Sequence, residues 1–183
     1  RTRMTESPRT TPADAARYRG QVWQTRPRPG VDRMSSAWLI RRFIDPAARF
    51  VFTSSAPAAA AAIPFDTFEA EFGHHGTHCT FETLCERFAI VDPSVRHIAR
   101  IVHDLDLKDP IYGEPETATI GRLVEGLRRA HADDEELLRD GISVFEALYQ
   151  SLAAHAAPPA ARAKTPPRRR ARTPRIRRRS KQT

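Results

Sequence analysis

Histidine, cysteine and acidic residues crowd into one stretch of this chain, Glu71 to Asp109. It holds five of the seven histidines (His74, His75, His78, His97 and His103), both cysteines (Cys79 and Cys85) and the carboxylates Glu71, Glu82, Asp104 and Asp106. Imidazole, thiolate and carboxylate are the side chains that bind first-row metals or move protons near neutral pH. The stretch therefore reads as the place for a divalent metal ion or a proton-transfer site.

Helical spacing sorts these residues. Phe81, Leu84, Cys85 and Phe88 fall at i, i+3, i+4 and i+7, so a helix starts near Thr80 and Glu82 borders its apolar stripe. Glu82 is then either a ligand or general base, or a carboxylate complementing the helix dipole. The next helix, about Ser94 to Leu107, buries Ile98, Ile101, Val102 and Leu105; His103 and Asp106 share one flank of that stripe, while Asp104 points the other way. A histidine and a carboxylate three apart can hold one cation or form an acid–base pair; the plain alternative is a hydrogen-bonded pair near a helix end. His74, His75, His78 and Cys79 lead into the Phe81 helix without a zinc-finger spacing. Cys79 is a candidate catalytic thiolate stabilised by that helix N-terminus, and Asp104 is the other catalytic candidate. Cys85, on the core stripe, reads as an inert thiol. His131 falls on the projected stripe of its own helix and ranks with Asp32 as a second-tier candidate.

A different chemistry is written in Arg26, Arg28 and Arg33. Guanidinium groups at the start of a helix suit a tetrahedral oxyanion, although Asp32, read as the N-cap there, competes for the same amides. The alternative is that Arg26 or Arg33 pairs with carboxylates of the histidine-rich stretch and holds them ionised.

These residues need a scaffold, and 183 residues suffice for one domain with a core. The formal charge of +8 is uneven. Of the 30 basic residues, eleven lie between Arg162 and Lys181 with no acid among them, leaving 19 against 22 acids elsewhere. Arg168, Arg169, Arg170, Arg177, Arg178 and Arg179 predict weak, sequence-blind, salt-sensitive binding to nucleic acid, or a solubilising tail. Two cysteines make no disulfide framework, and neither a secretory signal nor a membrane-spanning run is present in the sequence. A soluble, cytoplasmic protein without membrane partners is expected, its oligomeric state open. The first residues, Arg-Thr-Arg-Met, are compatible with a fragment of something longer.

Residues 1–20 read as a disordered arm, 21–155 as the domain and 156–183 as a disordered Arg-rich tail. Strands are expected at Gln21 to Thr25, Arg49 to Thr53 and near Ile63 to Asp66. Helices follow from Arg33 to about Ile44, from Thr80, from Ser94, from Pro115 to about Ala130 with Ile120, Leu123, Val124 and Leu127 buried, and from Asp133 to about Ala154. The fold class is α+β, mainly α-helical, with about five helices packed against a small sheet of short strands.

Five motifs carry a family resemblance. Thr25-Arg26-Pro27-Arg28-Pro29-Gly30-Val31-Asp32-Arg33, Ala37 to Asp45, Cys79-Thr80-Phe81-Glu82, Ile101 to Asp109 and His131-Ala132-Asp133-Asp134 occur in order between Val22 and Tyr149. Together they resemble the C-terminal domain of the chromate-resistance protein ChrB family. The resemblance implies a chromate-resistance operon with an efflux transporter, and a metal- or oxyanion-responsive accessory or regulatory role with chromate, another oxyanion or a metal as ligand. Related domains fused to rhodanese-like modules imply the alternative, a metal-dependent enzyme linked to sulfur transfer. Longer members carry a further N-terminal domain, so a regulator's DNA-binding function does not simply carry over. The family pattern also favours His74 over His75 and His78, which completes the expected metal set: His74, Glu82, His103 and Asp106.

Overall fold

The computed structural model describes residues 16–53, 62–67, 70–108 and 110–156. The tail arginines and most of the Ala-rich segment after Thr53 lie outside these. Three short parallel strands form a sheet in the order β2-β1-β3: β1 Val22–Thr25, β2 Arg49–Phe52 and β3 Ile63–Pro64. Trp23 on the central strand pairs with Phe50 on one side and Ile63 on the other, and is fully buried. Because β1 and β2 are parallel, the chain must cross over between them, and the crossover is a helix.

That helix, α1 Val31–Leu39, continues as a π-helical turn over Ile40–Ile44. A single α-helix is expected here from periodicity. The wider turn, closed by Asp45 N–H on the Ile40 carbonyl, is followed by a buried Asp45 carboxylate that accepts from Gly20 N–H, Gln21 N–H and Trp23 Nε1. The helix also starts at Val31 with Gly30 as its N-cap, so the reading of Asp32 as N-cap is corrected: Asp32 lies inside the first turn.

Four further helices complete the described fold: α2 Thr80–Arg87, α3 Pro93–Asp106, α4 Thr117–Ala130 and α5 Asp134–Ala156. Asp92 caps α3 by accepting from Ser94 N–H and Val95 N–H, and Asp133 accepts from Glu136 N–H at the start of α5. The central helix is α1, packed against α2, α3 and α5. Its Met34 and Trp38, on the side away from the Leu39 stripe, are as buried as Leu39 itself, which explains why the helix is apolar on two faces. Gly141 of α5 allows the closest approach, since a Cβ there would stand 2.6 Å from the Met34 side chain.

Two expectations need adjustment. Tyr18 is buried against Trp23, Phe72 and Phe88, so packing begins ahead of Gln21. Leu123 is exposed; only Ile120 and Val124 of its stripe are buried, with Leu127 partly so, because α4 lies on the outside of the bundle against α3 and α5. Among the described residues no helix is long and apolar enough to cross a membrane.

Candidate functional site

Asp32 is the hinge of the site. Its first-turn position on α1 leaves its carboxylate free to serve another helix: Oδ2 accepts from Thr80 N–H at 2.8 Å and Oδ1 from Phe81 N–H at 2.9 Å, the first amides of α2. Ser36 Oγ adds a bond to Oδ1. The first four amides of any helix lack intrahelical acceptors, and a carboxylate there also meets the positive end of the dipole. One buried side chain thus satisfies α2 and joins it to α1.

Around Asp32 gather Asp66, His74 and Asp106. Asp66 follows β3 at a positive φ of 47°, takes Thr80 Oγ1 on Oδ1, and takes Arg33 Nε at 2.9 Å and Arg26 Nη2 at 3.2 Å on Oδ2. Asp106, at the end of α3, reaches the same place. His74 Nε2 lies 3.1 Å from an Asp32 oxygen, 3.2 Å from one of Asp106 and 3.4 Å from one of Asp66. A single ring nitrogen cannot bond well to three carboxylates at once, so three acidic oxygens and one imidazole nitrogen converge with more acceptor capacity than the protein uses.

The electrostatics follow from this crowding. Burial, then the charge of Asp32, pushes the Asp106 carboxyl from its ordinary 3.8 up to about 6. Burial and Asp32 also raise Asp66, against the pull of its two arginines. The hydrogen bond to Asp32 raises His74, and burial lowers Arg33. Together Arg26, Gly30, Asp32, Arg33, Asp66, His74 and Asp106 line a cavity of about 260 Å³. One oxygen each of Asp32 and Asp106 and a His74 nitrogen lie within 4.8 Å of one another, the arrangement that can hold a metal ion.

The four expected ligands separate into two pairs. His74 and Asp106 meet in the cavity; Glu82 and His103 pair with each other outside its lining, His103 Nδ1 to Glu82 Oε2 at 2.9 Å. Glu82 Oε2 also accepts from Cys79 N–H, the N-cap of α2, and the His103 ring packs edge-on to Tyr112. Asp104 is buried and accepts from Tyr112 N–H and Gly113 N–H, holding the loop after α3. Cys79 is fully buried, and burial pushes its thiol far above neutral pH, which keeps it protonated; Cys85 is raised for the same reason.

His131 ends α4, with Nε2 at 3.0 Å from an Asp140 oxygen. Arg28 turns away from the cavity, donating to the carbonyls of Arg128 and His131 while its own N–H bonds Asp134. Of the oxyanion candidates, Arg26 and Arg33 line the cavity and Arg28 does not. His97 forms a second group with Glu114 and Glu116.

Asp66 is the residue that sequence reasoning passed over. A usable signal exists: in open parallel sheets, ligands sit beyond the carboxyl ends of strands where the order switches direction. Here β2 and β3 flank β1 on opposite sides, Arg26 directly follows β1, and Asp66 follows β3. The cavity lies at that crevice.

Comparison with known proteins agrees with the motifs. The family model described as "ChrB, C-terminal domain" matches residues 23–152. Protein ChrB of Cupriavidus metallidurans is 34% identical over 140 residues, covering 74% of this chain and 42% of that relative, so the match spans less than half of the relative's length. No solved structure matches. With most of the described domain inside the matched region, the chain belongs to the ChrB C-terminal domain family.

Proposed function

We propose that this domain binds one divalent cation through Asp32, His74 and Asp106, and that it serves chromate resistance as a metal-responsive accessory or regulatory unit. The observation that carries the cation is the convergence of three carboxylate oxygens on His74 Nε2 at 3.1 to 3.4 Å. The association with chromate resistance is supported by the family. Two carboxylates and one imidazole favour a harder first-row ion such as Mn²⁺ or Fe²⁺ over thiolate-seeking metals. Asp32 is held by three donors from α1 and α2, which fixes its position in the way that hydrogen bonds behind a ligand usually do.

A second reading, a metal-dependent enzyme, has Asp106 in its favour: in the metal-free cavity burial and Asp32 raise its carboxyl to about 6, the range of a general base. The protonated, buried Cys79 gives no support to a thiolate nucleophile or to sulfur transfer through it.

The test is the metal content of untagged protein purified without chelator, with calorimetric titration of Mn²⁺ and Zn²⁺ into wild type, His74→Ala and Asp106→Asn. One equivalent bound by wild type, and a loss on the order of 100-fold in variants that keep their circular dichroism, is expected. Equal uptake by all three proteins rejects the site. A Glu82→Gln variant separates this reading from the set expected in sequence, since Glu82 lies outside the cavity and its loss leaves cation affinity unchanged.

A further inference from the structure

We infer that the cavity takes its cation together with a tetrahedral oxyanion, seated between the cation and the guanidinium groups of Arg26 and Arg33, and that the two ligands strengthen each other's binding. This rests on the cation reading and names the second ligand of the same site.

The first observation is an excess of guanidinium. Arg26 and Arg33 both hold Asp66 Oδ2, although one would neutralise it. Neither is fully engaged. Arg26 places Nε on the Asp66 carbonyl and Nη2 on its carboxylate; Arg33 places Nε on the carboxylate and Nη1 on the carbonyls of Arg26 and Pro27. Arg26 Nη1 and Arg33 Nη2 keep their donors without a partner among the described residues, and both residues line the cavity. Arg33 has a side chain 16% exposed, and its unshared donor stays accessible to a ligand rather than sealed in the core.

Charge gives the second observation. Three carboxylates against two guanidinium groups leave the lining with one negative charge when His74 is neutral, as coordination requires. The cation-free cavity, neutral or negative according to the proton on His74, therefore offers an anion no net attraction. A divalent cation makes the lining net positive, beside the buried carboxylates of Asp32 and Asp66. The anion thus depends on the cation, and by linkage the cation gains equally from the anion.

Shape decides the class. Asp66 Oδ2 carries both guanidinium groups while its Oδ1 lies 3.4 Å from His74 Nε2, so a ligand that meets both the guanidinium groups and the cation must offer oxygens in several directions. A tetrahedral group, free or as a monoester, does so; a planar carboxylate does not. Gly30, the side-chain-free N-cap of α1, also lines the cavity and adds the positive end of a helix dipole. At about 260 Å³ the cavity far exceeds the roughly 10–15 Å³ needed by one water.

The experiment is calorimetric titration of the full chain with inorganic sulfate, with methyl phosphate and with acetate, each without cation and with saturating Mn²⁺. Sulfate affinity should rise about tenfold or more with Mn²⁺, and Mn²⁺ affinity should rise by the same factor with sulfate. Stronger binding of methyl phosphate than of sulfate identifies the ester as the preferred source; the reverse identifies the free ion. Arg26→Met, at a half-exposed position, should remove most of the sulfate binding without weakening Mn²⁺ binding measured alone. Mn²⁺ binding with sulfate affinity that is absent, or indifferent to Mn²⁺, overturns the oxyanion inference and leaves the cation reading intact. Acetate bound as well as sulfate overturns the tetrahedral assignment. Failure of Mn²⁺ to bind overturns both.

Discussion

Asp106 shows in one residue what a ligand-ready site costs the free protein. Its carboxyl, pushed up to about 6, holds a proton more tightly in the fold than in the unfolded chain, where 3.8 is ordinary. Folding therefore takes up a proton between those values. The stability it brings is complete below about 3.8 and is lost as pH rises through about 6, so an ionised Asp106 opposes folding at neutral pH. His74, raised by Asp32, acts in the same direction, since its stabilising proton also leaves as pH rises. Asp106→Asn should stabilise the metal-free domain at pH 7.5 by up to about 3 kcal/mol, with the gain vanishing near pH 4. Thermal melts in chelator at the two pH values check this; a variant that melts no higher at pH 7.5 argues against a strained carboxylate. With metal present the gap narrows, because wild type gains more binding energy than a variant that binds about 100-fold more weakly.

At the scale of elements, periodicity made the helices and strands legible while leaving their joints obscure. The Ile98/Ile101/Val102 stripe and the helix start at Asp133 depend on neighbours a few residues away, and they read correctly. Asp32 and Arg28 depend on partners from distant segments, which spacing does not encode. Asp32 looked like the cap of its own helix and instead caps α2; Arg28 looked like an oxyanion ligand and instead caps α4. Helix geometry placed His103 and Asp106 on one flank, yet the pair divides between Glu82 and the cavity, because α2 supplies a nearer carboxylate to His103. Arg28→Ala should therefore destabilise the fold by about 1–3 kcal/mol, from charged hydrogen bonds to the carbonyls ending α4. Its Mn²⁺ affinity should stay within about twofold of wild type, since ΔΔG at separate positions adds independently. Denaturant melts with calorimetry distinguish this from an oxyanion role, which predicts loss of sulfate binding with unchanged stability.

For the whole molecule, the cavity exists only when five regions are in place: the turn after β1, the start of α1, the turn after β3, the His74 segment before α2 and the end of α3. No local segment can build it, so a cation bound there would be linked to the tertiary fold. Cys79 stands at the joint, fully buried as the N-cap of α2, beside the two amides that grip Asp32. A thiol so enclosed reacts with a disulfide reagent only when the joint opens, which makes its labelling rate a clock for that opening. If opening breaks the site, Mn²⁺ at one hundred times its dissociation constant should slow the Cys79 clock about 100-fold. A rate indifferent to Mn²⁺ would mean that α2 can lift from α1 without disturbing the bound ion. The residue that seemed the natural nucleophile is then most useful as a timekeeper, recording how long the two helices stay closed.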